Sequence, residues 1–430
     1  MTLKITFNCN LTRAAALLTS SLFALGVAAC DSSPNGPPSD PVHVFGGKDD
    51  LHDLPIAGLS QENVDAFNEG DGLFDLQLFP SDGLGPLYTR TSCSSCHSDG
   101  TRGPGLVQKM VSVEADGFTP SADQSLFPFG HTVHPLTAAG ATTPIEAPVG
   151  HAGVKVTIRV GPPVLGRGYM EAIDDAEIER VAAAQAARPD AIHGRVNHVT
   201  YASQPNPDTR FHTHQPGDTV IGRFGLKARV ATLDDFTADA LQGDMGITSP
   251  LRPTEIPNPD GLTDDLKAGV DVTIDSVNAR AMYVRTTAIP ARGTDAHGAA
   301  LFQQAKCGVC HAPAMKTRAD YPIAQLAGID APVYTDMLLH DLGVELADGI
   351  VEGEATPRDW RTAPLIGLRF NKTLMHDGRV PVMQADVALA VHAAILAHAS
   401  DGSEANESVS LYQAMSDADR QALLDFVKSL

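Results

Sequence analysis

Apolar and polar positions alternate from Val154 to Val160: Val154, Val156, Ile158 and Val160 fall on one face, Lys155, Thr157 and Arg159 on the other. That period of two, closed by Gly161-Pro162-Pro163, predicts a half-buried strand. Other stretches carry a helical period. Asp174 can cap a helix that runs through Arg188 and is stopped by Pro189. Ser416 caps a last helix in which Leu423, Phe426, Val427 and Leu430 share one face, and residues 298–306 read as another helix. Pro- and Gly-rich stretches such as 246–263 read as loops packed over helices. A boundary between two halves is expected near 265–278.

The first thirty residues follow a different pattern. Lys4 and Arg13 make a positive start, Ala14 to Ala29 is uncharged and largely apolar, and Val27-Ala28-Ala29-Cys30 resembles the lipobox of bacterial lipoproteins. The expectation is a lipoprotein signal peptide over 1–29 and acylation of Cys30, which would hold the chain to a membrane without spanning it. Residues 30–50 are rich in Pro, Ser and Gly and read as a flexible linker from lipid to fold. The expected location is the periplasmic side of a bacterial membrane.

Charge narrows the partners. The formal net charge is −21, and losing Lys4 and Arg13 with the leader would take it to −23. An acidic surface of that size argues against nucleic acid, whose binding depends on neutralising phosphates, and is compatible with steering a basic redox partner such as a small cytochrome or a membrane dehydrogenase.

Six cysteines are present. Cys9 lies in the leader and Cys30 at the lipobox, which leaves Cys93-Ser94-Ser95-Cys96-His97 and Cys307-Gly308-Val309-Cys310-His311. In C-x-x-C-H two thiols can add across the vinyl groups of a haem while the histidine takes the proximal side of the iron. Cys93, Cys96, Cys307 and Cys310 are therefore expected to attach two haem c groups, with His97 and His311 as proximal ligands. A zinc ribbon would place its pairs far closer together, and no βαβ pattern supports a thioredoxin-like pair. Leu87-Tyr88 precedes Cys93 at the offset at which Leu301-Phe302 precedes Cys307, so two equivalent modules are implied. They are expected as an N-terminal haem domain over 51–270 and a C-terminal one over 271–430. The fold class expected is mainly α: two cytochrome c-like haem domains with long loops and a small β element. Sixth ligands decide the chemistry, and spacing leaves them open. His376, His392, His398, Met375 and Met383 are candidates for the second iron, and His131, His134 and His151 for the first.

Several segments resemble one family, the bacterial di-haem oxidoreductases, often labelled thiol oxidoreductases and related more distantly to di-haem cytochrome c peroxidases. The resemblance runs through most of residues 70–430. It is carried by Asp82-Gly83-Leu84-Gly85-Pro86-Leu87-Tyr88, by Gly166-Arg167-Gly168-Tyr169-Met170-Glu171-Ala172-Ile173 and by Gly222-Arg223-Phe224-Gly225-Leu226-Lys227-Ala228. Further on it is carried by Gly243-Asp244-Met245-Gly246-Ile247-Thr248-Ser249, Leu338-Leu339-His340-Asp341-Leu342-Gly343, Arg361-Thr362-Ala363-Pro364-Leu365 and His376-Asp377-Gly378-Arg379. In that family the last block precedes a helix whose histidine stands where the peroxidases have a distal ligand. Ala394-Ile395-Leu396-Ala397-His398 matches it, so the resemblance implies His398 as the sixth ligand of the second haem, with His392 as a rival.

The resemblance also implies the activity. The C-terminal haem would pass electrons to the N-terminal one, where peroxide or a related substrate is reduced. The alternative is an electron carrier with two six-coordinate haems. The displaceable histidine that closely follows the first motif in the peroxidases is missing here, since the next after His97 is His131. Glu114 and Glu146 are candidate acid/base groups, and Trp360 reads as core before it reads as a bridge between haems. Related peroxidases hold a structural calcium, which the resemblance allows here without identifying ligands.

Overall fold

The computed structural model describes residues 44–45 and 54–430, apart from 102, 104, 264–266 and 384; of 44, 45 and 99 only the backbone is described. The expected signal peptide and Cys30 lie outside the described residues, as does the expected linker except for Val44–Phe45. Those two pair in parallel with Ile289–Pro290. The described residues all fall in one compact unit.

Five helices build the first part: α1 (Gln61–Asp75), α2 (Arg167–Ala172), α3 (Asp175–Ala186), α4 (Leu233–Met245) and α5 (Ile274–Thr286). The side chains of Ser60, Asp174, Thr232 and Thr273 accept backbone N–H groups at the starts of α1, α3, α4 and α5, satisfying donors that have no partner within the helix. Helix α1 buries Phe67, Gly70 and Phe74 on one side, against α5. Glycine is needed where they meet, because a Cβ on Gly70 would lie 2.1 Å from the Ala279 carbonyl oxygen. The same holds for α2, where a Cβ on Gly168 would lie 1.8 Å from the Arg285 oxygen. Phe67, Phe74, Tyr169, Met170 and Tyr283 form the centre of the resulting core.

Strands β1 (Leu106–Ser112) and β2 (Val154–Val160) pair antiparallel, Leu106 opposite Val160 and Ser112 opposite Val154. The second part holds α6 (Ala296–Gln304), the one-turn α7 (Cys307–Cys310), α8 (Val387–Leu396), α9 (Asn406–Gln413) and α10 (Asp417–Ser429), with a core around Phe302, Val391, Tyr412, Leu423 and Phe426. Short strands β3 (Leu339–Asp341) and β4 (Asp359–Arg361) pair between α7 and α8.

The strand at 154–160 and the capped helices after Asp174 and Ser416 stand where the pattern put them, but the strand's apolar face is not the buried one: Val156 and Ile158 are exposed, whereas Arg159 is buried by its ion pairs with Asp348 and Glu352. The mainly α, cytochrome c-like fold class does not hold. Helices take 32% of the residues and strands 16%, and among the described residues the strands pair only as two-stranded ladders. The physical reason lies in the irregular segments, whose buried backbone is satisfied by side chains in place of a helical ladder. Asn197 Nδ2 donates to the carbonyls of Lys227 (2.7 Å), Ala228 (3.1 Å) and Glu352 (3.0 Å). Lys227 Nζ donates to those of Thr356 (2.8 Å), Pro357 (3.1 Å) and Asp359 (2.8 Å). Bonds of that kind have no period, so no sequence pattern announces them.

Candidate haem cavities

Helix α6 delivers the second C-x-x-C-H segment. Lys306, at φ +61°, turns the chain out of α6 and into α7, which carries Cys307 and Cys310 on one turn and leads into His311. All three line a cavity of about 240 Å³. His311 Nδ1 lies 3.2 Å from the Tyr334 carbonyl, so it is the protonated nitrogen and Nε2 carries the lone pair. Burial, with His398 nearby, pushes the His311 pKa down to about 4, which keeps the ring neutral. His398 lines the same cavity and is arranged alike: its Nδ1 lies 2.7 Å from the Ala394 carbonyl one helical turn back, and burial lowers its pKa.

The other candidates separate on geometry. Met375 and His376 line the cavity, His376 stacked on Trp360 at 3.8 Å between ring centroids. His392 Nδ1 instead meets the Tyr412 hydroxyl at 2.6 Å, outside the lining, and Met383 is 65% exposed. Trp360 is buried, donates from Nε1 to the Leu346 carbonyl at 3.0 Å and carries Lys227 Nζ 4.2 Å above its ring. His340, which sequence reasoning left without a role, also lines this cavity. It sits between Asp336 (2.9 Å from Nε2) and Glu404 (2.7 Å from Nδ1), with Cys310 Sγ 3.7 Å from Nδ1. Cys310, Asp336 and His340 thus bring one ligand atom each to within 4.8 Å of one another, with sulfur and Asp336 at opposite nitrogens of the ring.

The first segment is organised in the same way around a cavity of about 80 Å³. His97 Nδ1 lies 2.6 Å from the Pro162 carbonyl, immediately after β2. Close packing leaves no room for a Cβ at Gly105, which would lie 2.3 Å from Cys96 Cα. Helix α4 lays Leu233, Phe236, Thr237, Ala240 and Asp244 along the cavity, and α5 adds Arg280 and Val284. The candidate ligands for this side are elsewhere. His131 Nδ1 lies 3.0 Å from the Met110 carbonyl, His134 Nε2 lies 2.7 Å from that of Gly243, and His151 is exposed. None of the three lines the cavity, and neither Glu114 nor Glu146 does. The carboxyl that does is Asp244, pushed up to about 6 by burial. It lies inside a family-like block, but nothing in the sequence distinguishes it from its neighbours.

Each cavity thus presents two thiols and an imidazole whose Nδ1 is already committed. The four thiols are unpaired, and burial pushes Cys96 up to about 11 and Cys307 up to about 12, so they stay protonated and are poor nucleophiles on their own. This donor set could hold a haem in each cavity. Pro162, Pro163, Arg167 and Arg361 line both cavities, so the two share a wall.

The family model described as "Di-haem oxidoreductase, putative peroxidase" matches residues 139–430. No curated protein matches the sequence. Among solved structures, hydrazine synthase of Kuenenia stuttgartiensis, pressurised with xenon, is similar at 10% identity over 96% of this chain and 100% of that chain. Its TM-score of 0.37 is too low to carry an argument.

Proposed function

Since the chain belongs to the di-haem oxidoreductase family, we propose that it is a peroxidase-like enzyme with one closed and one open iron site. Cys93 with Cys96 and Cys307 with Cys310 would attach two haem c groups, His97 and His311 would be the proximal ligands, and His398 would close the second site. When bound, the two haems would supply one-electron chemistry, the second site feeding the first, where peroxide or a related substrate is reduced.

One observation carries this reading. Among the described residues, the first cavity is lined by a single imidazole, His97, whereas His311, His340, His376 and His398 line the second. The chain's own residues would then do three things. Nδ1 hydrogen bonds to Pro162 and Tyr334 hold both proximal rings in one tautomer. Phe236, Ala240 and Val284 exclude water from the first cavity. The shared wall of Pro162, Pro163, Arg167 and Arg361 supports electron passage between the sites. A basic cytochrome or a membrane dehydrogenase would supply the electrons, on the periplasmic side, with Cys30 as the lipid anchor.

Met245 favours a second reading, since it lines the first cavity and could close it, leaving a pure electron carrier. Electron paramagnetic resonance of the holoprotein, fully oxidised and then half-reduced, separates the two, with haem content checked as the pyridine haemochrome. A high-spin ferric signal in either state is expected. Two low-spin signals throughout would overturn the enzyme reading.

A further inference from the structure

The first cavity departs from the rest of the chain in charge. The protein carries −21 overall, yet Arg90, Arg167, Arg280 and Arg361 line this cavity against one carboxyl among the described residues, Asp244. Arg280 is the most informative of the four. It is 2% exposed, and Nη1 is used by the carbonyl and hydroxyl of Ser276 on the preceding turn of α5. Its Nε has no hydrogen-bond partner, and among the described residues no carboxylate pairs with it. The polar group it faces is the Cys93 thiol, and burial, partly offset by that thiol, lowers its pKa. Conversion of Cys93 to a thioether would remove that partner. Haem propionates cannot replace it, because they leave the porphyrin on the edge opposite the thioethers. A buried guanidinium without a counter-charge is costly, and the cost is relieved by an anion entering the cavity.

We propose that the first cavity is selective for small monoanions able to bind ferric iron, of the class of hydroperoxide, nitrite and azide, and that Arg280 supplies the selectivity. This deepens the open-site reading and rests on it. One unit charge acting over about 10 Å at an effective dielectric of about 20 changes anion affinity by roughly tenfold or more.

The test is a spectroscopic titration of the ferric holoprotein with azide, with nitrite and with neutral imidazole, in wild type, Arg280→Met and Arg280→Lys. Carbon monoxide binding to the ferrous form reports whether the cavity is intact. Azide and nitrite should weaken by roughly tenfold in Arg280→Met and recover in Arg280→Lys, while imidazole and carbon monoxide stay within about twofold. Should Arg280→Met lose haem, Arg280→Gln, which keeps a polar end without the charge, reads the same ratio. An anion-to-imidazole affinity ratio that ignores the charge at 280 would overturn the proposal and leave the open site standing. If no ligand of either kind perturbs the first haem of the wild type, the open-site reading itself is wrong, and the proposal falls with it.

Discussion

Glu171 offers the sharpest test of how the fold holds the site. It stands on α2, four residues after Arg167, which lines both cavities. One carboxylate oxygen accepts from Arg285 Nε at 2.6 Å and the Tyr321 hydroxyl at 2.7 Å; the other accepts from Arg285 Nη2 at 3.2 Å and Leu233 N, in the first turn of α4, at 2.7 Å. Glu171→Ala leaves Arg285 buried with only Asp234 as ion-pair partner, and strips the Tyr321 hydroxyl and the Leu233 N–H of their acceptor. Removing one partner of a buried pair costs about 3–5 kcal/mol, and the two lost acceptors bring the expected total to about 5 kcal/mol. An unfolding entropy of about 2.1 cal/mol/K per residue over about 380 residues is roughly 0.8 kcal/mol/K, so Tm should fall by about 6 °C at pH 7. Glu171→Gln keeps one acceptor oxygen and turns the other into a donor NH2, so it restores only part of the network and should lose less than Glu171→Ala. Burial pushes the carboxyl up, but the Arg285 guanidinium outweighs it and holds Glu171 below its ordinary 4.5. Stability from a lowered carboxyl is present above the unfolded pKa and lost as pH falls through the folded one. The gap between wild type and variant should therefore narrow below about pH 4.5. Thermal unfolding followed by circular dichroism and haem absorbance checks both; a loss under about 2 °C at pH 7, or a gap that widens in acid, would refute the reasoning.

Replacing His398 by Ala should convert the second haem from low to high spin in the ferric spectrum and open it to added imidazole. A spectrum that stays low-spin would move the sixth ligand to Met375, which lines the same cavity. Asp244 carries the opposite pH sign to Glu171: burial raises it from 3.8 to about 6, so its ionised form costs stability in full above the raised value, and the cost falls away as pH drops from there toward the ordinary one. Asp244→Asn should stabilise the protein by about 1–2 kcal/mol at pH 8, after allowing for its partial exposure, and by about half as much at pH 5; equal Tm shifts at the two pH values would contradict this.

What sequence could supply depended on whether an interaction has a local signature. Alternation marked Val154–Val160 as a strand, though not its buried face, and caps marked the starts of α3 and α10, because these signals sit within a few residues of what they control. The four cysteines, His97 and His311 stand out in the sequence because the proposed haem attachment demands a fixed spacing, and the structure places each set on one cavity. His398 was singled out through family resemblance, and its place on the same cavity as His311 depends on how the segment after α8 packs. The fold class failed because segments such as 195–230 and 344–362 are held by Asn197, Lys227, Arg159 and Asp348 at separations of more than a hundred residues. Asp244 and Arg280 were invisible for the same reason: a charged residue on a helix usually faces solvent, and only tertiary packing turns these two toward a cavity.

The wall of Pro162 and Pro163 joins two roles that could have been separate. Pro162 accepts the His97 hydrogen bond, and the same two rings face the second cavity. Proline has a fixed φ and no N–H to donate, so this stretch has little freedom to yield on one side without moving on the other. The two sites therefore cannot be optimised independently. A substitution at 162 or 163 selected to reshape the second cavity would shift the carbonyl that sets the basicity of His97 at the first, so an engineer retuning the second would have to redesign the first with it.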